Sequence, residues 1–486
     1  MWNRGLCRPA GAKSPGANPA TSASIAGRLF FPQSKDLGCD VKALVSPGIL
    51  KKMVYSGTHA TSFAQASRDL KELAEVEISS ARIRRMTERI GQERVDERND
   101  AVAHWQQQTI PAQQRSPLKH VPEAEVVCVQ MDGGRLQVWD REHEDDQLEA
   151  DDQSKPDRQS EADEQSESDG SSSKTFWRES KVGICLSMTS KVSEQDPCPT
   201  IPKTFVNPAR MSRLAREIKN AGKKPEGTSG PNARQAKKEN QQLEAALETI
   251  EEEKQEAFRY KAPKIAERTV VATRQDVTVF GPLLAAKAWA LGFAAVCRKA
   301  FVGDGSDTNW SVWRKYFSHY TPILDFVHAI CYVYQAAVAA LLPEEAWQTY
   351  CQWAQWVWSG QVHLVIEAME ARQQELGQPE ADDPDSHPRR ILATAIGYLR
   401  NQKGRMKYAH YRKNGLPITS SHIESTIKQI NRRVKGTEKF WHQGAEPILQ
   451  LAADHLSQTN ALDQFWKTRQ HRLPSTRRYQ PTPTLA

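Results

Sequence analysis

The chain has 486 residues, 38% of them hydrophobic, and its 66 Lys and Arg against 59 Asp and Glu give a formal charge of +7. That is enough for a large core and roughly two to four domains, and a mildly basic balance is compatible with a nucleic-acid partner without requiring one. No stretch is apolar for long enough to span a bilayer, and the eight cysteines form no Cys-x-x-Cys pair, which argues against a zinc ribbon or finger and reads as the reduced thiols of a cytosolic protein.

Residues 1–45 read as a disordered basic leader. A helical region is expected over 46–98. Ser62 to Glu75 places Phe63, Ala66, Leu70 and Leu73 on one helical face. After a break at Val76 to Ser79, Ser80 can cap a second helix with Ile83, Met86 and Ile90 on one side and Arg82, Arg84, Arg85 and Arg89 on the other. This is the layout of a helix-turn-helix module, which makes Arg82, Arg85 and Arg89 candidates for DNA contact. An ordinary amphipathic pair with a solvated basic face accounts for the same residues.

Glu125 to Asp132 reads as a buried strand, Gly133-Gly134 as a turn, and Arg135 to Asp140 as a second strand. The acidic, Ser-rich run from Glu142 to Ser173 cannot bury a core and is expected as a disordered insertion (141–176) within a hairpin that resumes at Trp177 to Met188. Residues 205–262 form a charged segment, helical in propensity from Asn240 to Tyr260. Glu267 to Val279 reads as a strand with flanks, Gly281-Pro282 as the start of a helix reaching Val296, and Lys299 to Gly305 as a strand ending in a glycine-rich loop. A short helix over Trp310 to Phe317 and a strand over Pro322 to Val327 follow, and the pattern after His328 is all-helical to about Leu399. The last strong helix runs from Ser421 to Lys435. The expected divisions are 123–330 for a core, 331–418 for an all-helical insertion, 419–451 for the final helix and end of the core, and 452–486 for a tail.

Asp132 and Asp304 end apolar strands, and Glu424 stands in the first turn of the late helix. Two strand-end aspartates and a helix glutamate are the oxygen ligands that suit two Mg²⁺ or Mn²⁺ ions in phosphoryl transfer. Each has a blander reading, since Asp-Gly shapes turns and Ser421-x-x-Glu424 matches a capping box. On the same helix Ile423, Ile427, Ile430 and Val434 recur at core spacing. Lys428, Arg432 and Lys435 lie beside Glu424 and, with Arg433, are candidates for tracking a phosphate backbone.

Met131-Asp132-Gly-Gly-Arg135, Val302-Gly-Asp304-Gly, Ile323-Leu-Asp325-Phe-Val-His328, the run Ile423-Glu424-Ser-Thr-Ile-Lys-Gln-Ile-Asn-Arg-Arg-Val-Lys-Gly436 and Trp441-His-Gln-Gly-Ala occur in that order. Together they resemble bacterial insertion-sequence DDE transposases of the ISKra type, which are similar to the broader Mutator-like group. The resemblance implies an α/β, RNase H-like catalytic core interrupted by an all-helical insertion. It implies that Asp132, Asp304 and Glu424 are the metal-binding triad, with Asp325 and His328 as an auxiliary Asp-x-x-His pair. The expected activity is metal-dependent DNA cleavage and strand transfer on transposon ends and target DNA. The protein is expected as a homo-oligomer on DNA, in the bacterial cytoplasm and associated with the nucleoid. The alternatives are an RNase H-like nuclease without strand transfer and a decayed copy that only binds DNA. The long acidic insertion and the lack of a Cys-His finger depart from the family pattern. Recognition of terminal repeats would then fall to the helices between Ser62 and Gly91.

Overall fold

The computed structural model describes residues 45–115, 124–138, 176–220, 262–435, 441 and 444–472. The leader to residue 44, the acidic run and the Asn240 to Tyr260 segment lie outside the described residues.

Val126, Val127, Cys128, Val129 and Met131 are all buried, as a β-branched run does when both faces of its strand are covered. They open β1 (Val126–Val138), which pairs antiparallel with β2 (Phe176–Thr189) from Val126↔Met188 to Val138↔Phe176. β2 pairs antiparallel with β3 (Lys264–Thr273). β1 pairs parallel with β4 (Arg298–Gly303), and β4 with β5 (Thr321–Leu324). The result is one mixed five-stranded sheet in the order β3-β2-β1-β4-β5.

Gly133-Gly134 makes no turn, contrary to expectation, because β1 continues through it opposite Lys181 and Ser180. The glycines serve close packing instead. A Cβ on Gly134 would lie 2.7 Å from Ser180 Oγ and 3.7 Å from Ile427 Cγ2 on the late helix, so the strand passes beneath that helix without a side chain in the way.

Several helix bounds move for local reasons. Of the helices, α1 (Pro47–His59) and α2 (Phe63–Ala74) start where Ser46 and Ser62 accept from Ile49 N and Gln65 N. Leu73 of α2 is 87% exposed and does not join the buried face of Ala66 and Leu70. The next helix, α3 (Ser80–Gln106), has Ser79 at its N-cap with no side-chain cap bond, so Ser80 is its first residue and not its cap. It runs past the expected boundary at 98. Arg94 donates to Asp454 (2.8 and 3.1 Å), and Arg98 pairs with Glu446 at 2.9 Å.

After α4 (Pro208–Asn220) and β3 comes α5 (Val277–Ala290). It starts earlier than expected because Asp276 caps Thr278 N and Val279 N, and Pro282 lies inside it. Gly292, with φ 74°, follows its end, well short of Val296. Next come α6 (Asp307–Tyr316) and, beyond β5, α7 (Phe326–Ala340), whose cap Asp325 ends the strand expected to reach Val327. The helical block continues through α8 (Pro343–Trp358), α9 (Val362–Leu376), α10 (Pro388–Gln402) and α11 (Tyr408–Lys413). The expected division at 330/331 therefore cuts α7.

The chain closes with α12 (Ser421–Val434), α13 (Ala445–Leu456) and α14 (Ala461–Arg472). A division at 451 would cut α13. Moreover Leu451, Phe465 and Trp466 complete a small core with Leu50, Met53 and Ile83 from α1 and α3. The segment read as a tail is thus a wall of the N-terminal unit, held there by apolar burial. Among the described residues, no helix is long and apolar enough to cross a membrane.

Candidate functional site

Strand alternation puts Asp132 on the face of the sheet that α12 covers. On one side of it Gln130 Nε2 donates to the Thr419 carbonyl just ahead of α12 (3.1 Å); on the other Gly134 lies under Ile427. The Asp132 carboxylate accepts from the Gly133 amide at 2.6 Å. Burial first, then the charge of Asp304 and more weakly that of Glu424, push this carboxyl up to about 7, against the Gly133 amide and the charge of His328.

Asp304 directly follows β4, where a parallel strand delivers its C-terminal end beside β1. Its Oδ1 accepts from Ser306 N (3.0 Å) and Asn309 Nδ2 (2.8 Å). Asn309 also donates to the Met131 carbonyl (3.3 Å), tying the loop to β1 one residue before Asp132. Gly305 has φ 98°, and a Cβ there would lie 2.7 Å from Tyr398 Oη. The α10 helix grips this loop: the Tyr398 hydroxyl donates to Asp304 O (2.7 Å) and Gln402 Nε2 to Gly305 O (3.1 Å).

Asp325 is 1% exposed and joins three segments. Its amide donates to Gly303 O at the end of β4 (2.8 Å). Its Oδ1 accepts from Val327 N (3.3 Å) and from Ser420 N at the head of α12 (3.2 Å), while Oδ2 lies 2.6 Å from His328 Nδ1. Burial alone would lower the His328 pKa. Asp325, with the added charge of Asp304 and Glu424, overrides that and pushes it up to about 9. One ligand atom from each of Asp325, His328 and Glu424 lies within 4.8 Å of the others.

Glu424 stands in the first turn of α12, whose N-cap is Ser420. With Ser420 at the N-cap, Ser421 is the first helical residue and not the cap, so the expected Ser421–Glu424 capping box is out of register by one residue; the Ser420 amide itself is held by Asp325. Among the described residues, Asp325, His328 and Glu424 form the tightest group, and Asp132 and Asp304 lie outside this group but within electrostatic range of it.

Along α12 Lys428, Arg432 and Lys435 are exposed, whereas Ile423, Ile427, Ile430, Arg433 and Val434 are buried. Arg433 is therefore no surface cation. It donates to Gly57 O from Nε (3.1 Å) and Nη2 (2.9 Å) and lies over the rings of Phe63 and Trp441. Of the candidates on α3, Arg85 is exposed and Arg82 half-buried, while Arg89 sits 3.9 Å from Glu93. Sequence reasoning missed Asn309, Tyr398 and Gln402. A Ser306-to-Asn309 helix cap was readable beside Asp304, but nothing local marks two residues from a distant helix.

No protein-family model matches this chain, and no curated protein matches its sequence. Fold and site together define a mixed α/β protein with acidic side chains drawn from four separate elements to one end of its sheet.

Proposed function

We propose that the protein is a DDE-type transposase with an RNase H-like core, in which Asp132, Asp304 and Glu424 hold Mg²⁺ or Mn²⁺. The observation that carries this reading is the mutual electrostatic influence of these carboxylates. They come from β1, the end of β4 and α12, and the charges of Asp304 and Glu424 add to the burial that raises Asp132 to about 7. Partly buried acids that repel one another are relieved by a divalent cation, and an all-oxygen donor set suits a hard ion. Two such ions would activate the attacking oxygen and stabilise the leaving one.

The protein's own part is positioning. Asn309 and Tyr398 hold the Asp304 loop, and Asp325 pins the head of the helix that carries Glu424. The exposed row Lys428, Arg432 and Lys435 offers positive charge to a phosphate backbone along the same helix. The antiparallel meander β3-β2-β1 continuing into parallel β4 and β5 fits the proposed core, with α7 to α11 as the helical insertion before Glu424. In this reading water attacks a phosphodiester at an element end, and the freed 3′-hydroxyl attacks target DNA. The enzyme works as a homo-oligomer on DNA, in the cytoplasm.

The test is an in vitro reaction of the full chain with a plasmid carrying its own gene and flanking DNA. Mg²⁺-dependent nicks at the flanks and joined target products are expected, and both should vanish in Asp304→Asn. Nicks without joined products would leave a nuclease; joined products from Asp304→Asn would remove that residue from the site.

A further inference from the structure

On the face of the sheet opposite α12, a second set of cations meets the Asp304 loop. Gln402, whose Nε2 donates to Gly305 O (3.1 Å), accepts through Oε1 from Arg405 Nη1 (2.8 Å). Arg405 is thus one side chain removed from the loop that carries Asp304. Its guanidinium lies 4.3 Å from the Trp310 ring centre and 5.9 Å from that of Trp313, both on α6. Stacking of this kind fixes the plane of the fork. Nε and Nη2 meet no acceptor among the described residues.

Arg314, one turn beyond Trp310 on α6, is exposed. Burial and then the charge of Arg314 lower the Arg405 pKa, and Tyr411 and then Asp307 offset this only in part. Neither arginine makes an ion pair among the described residues. Arg405 lies over Trp310 and Trp313, the residues one turn and one position before Arg314, so the two guanidinium groups share one end of α6, and the repulsion that Asp307 only partly offsets would be relieved by an anion between them. The planar fork matches the paired oxygens of a phosphodiester.

We propose that Arg314 and Arg405 form a phosphate clamp that holds the DNA backbone beside Asp304, on the opposite side of the carboxylates from the cationic row of α12. This rests on the reading of the chain as a DNA-cutting enzyme. With α12 on one face of the sheet and α6 on the other, DNA crosses the end of β4 where Asp304 stands. The bland alternative is a solvated basic surface, which would release no counter-ions when DNA binds.

The experiment is a salt titration of binding by the full chain to a fluorescein-labelled random duplex, read by anisotropy in EDTA to prevent cleavage. Each neutralised phosphate contributes about 0.9 to the slope of log affinity against log salt. Arg314→Gln should therefore lower the slope by about one, and Arg314→Gln with Arg405→Gln by about two. Arg405→Lys, which keeps the charge but not the fork, should recover part of the affinity. Mn²⁺ binding should be unchanged in all three and reports an intact fold. Arg314 is exposed, so its variant carries the test even if Arg405→Gln folds poorly. If the Arg314→Gln slope is unchanged while Lys428→Gln/Arg432→Gln/Lys435→Gln flattens, the clamp is overturned and the transposase reading stands. If the wild-type chain shows no salt-dependent duplex binding, the nucleic-acid reading and the clamp fail together.

Discussion

Asp132 and His328 share one linkage, because folding raises the pKa of both. Asp132 stands at about 7 in the fold against an ordinary 3.8, and His328 at about 9 against 6.5. A raised group contributes stability that is fully present below its unfolded pKa and is lost as pH rises through the folded one. In EDTA the chain should therefore lose stability from about pH 4 to 7 through Asp132 and from about pH 6.5 to 9 through His328. Asp132→Asn should stabilise the metal-free protein at pH 8 by about 1–3 kcal/mol, and His328→Gln should flatten the upper part of the profile. Mg²⁺ should raise the melting temperature of the wild type much more than that of Asp132→Asn. Thermal melts across pH check all three; a metal-free Asp132→Asn that melts below wild type at pH 8 would show the carboxylate to be structural.

At the scale of one element, α12 separates two kinds of cation that look alike in sequence. Replacing exposed Lys428, Arg432 and Lys435 with Gln should leave the helix intact and lower the DNA salt slope by roughly three units if each meets a phosphate. Arg433→Gln should behave differently. It strands the Gly57 carbonyl and two aromatic faces that the guanidinium covers, so a stability loss of about 2–4 kcal/mol is expected. Denaturant unfolding beside the titration separates the two outcomes.

The apolar period of α12 was legible because Ile423, Ile427, Ile430 and Val434 repeat at helical spacing and all are buried. The fate of Arg433 was not, since the partner that buries it lies near residue 57. Gly133-Gly134 was misread for the same reason. A glycine pair signals either a turn or a close approach, and only the helix packed above decides which. The site divides in the same way. A strand end and a helix start are local features that made Asp304 and Glu424 visible, whereas Asp132, expected at a strand end, lies inside β1. Asn309, Tyr398 and the Asp325–Ser420 bond depend on long-range packing.

At the scale of the molecule, the first and last described helices share one core. Phe465 and Trp466 of α14 close the pocket made by α1 and α3, and Asp454 of α13 neutralises buried Arg94. Trp466→Ala should cost about 3 kcal/mol by opening a cavity, and Asp454→Asn about 1–2 kcal/mol, since buried Arg94 then keeps its half-exposed partner Glu97. Limited proteolysis should then cut first within 47–106, far in sequence from either substitution. Cleavage confined to residues beyond 456 would show that the N-terminal unit stands without that wall.

The central claim is that carboxylates from β1, β4 and α12 make one metal centre. Mn²⁺ binding to the full chain, followed by the loss of free-ion electron paramagnetic resonance signal, tests it most directly. The expected result is two ions bound to the wild type at pH 8, with at least tenfold weaker binding and a lower stoichiometry in each of Asp132→Asn, Asp304→Asn and Glu424→Gln. Unchanged Mn²⁺ binding in all three variants would contradict the account.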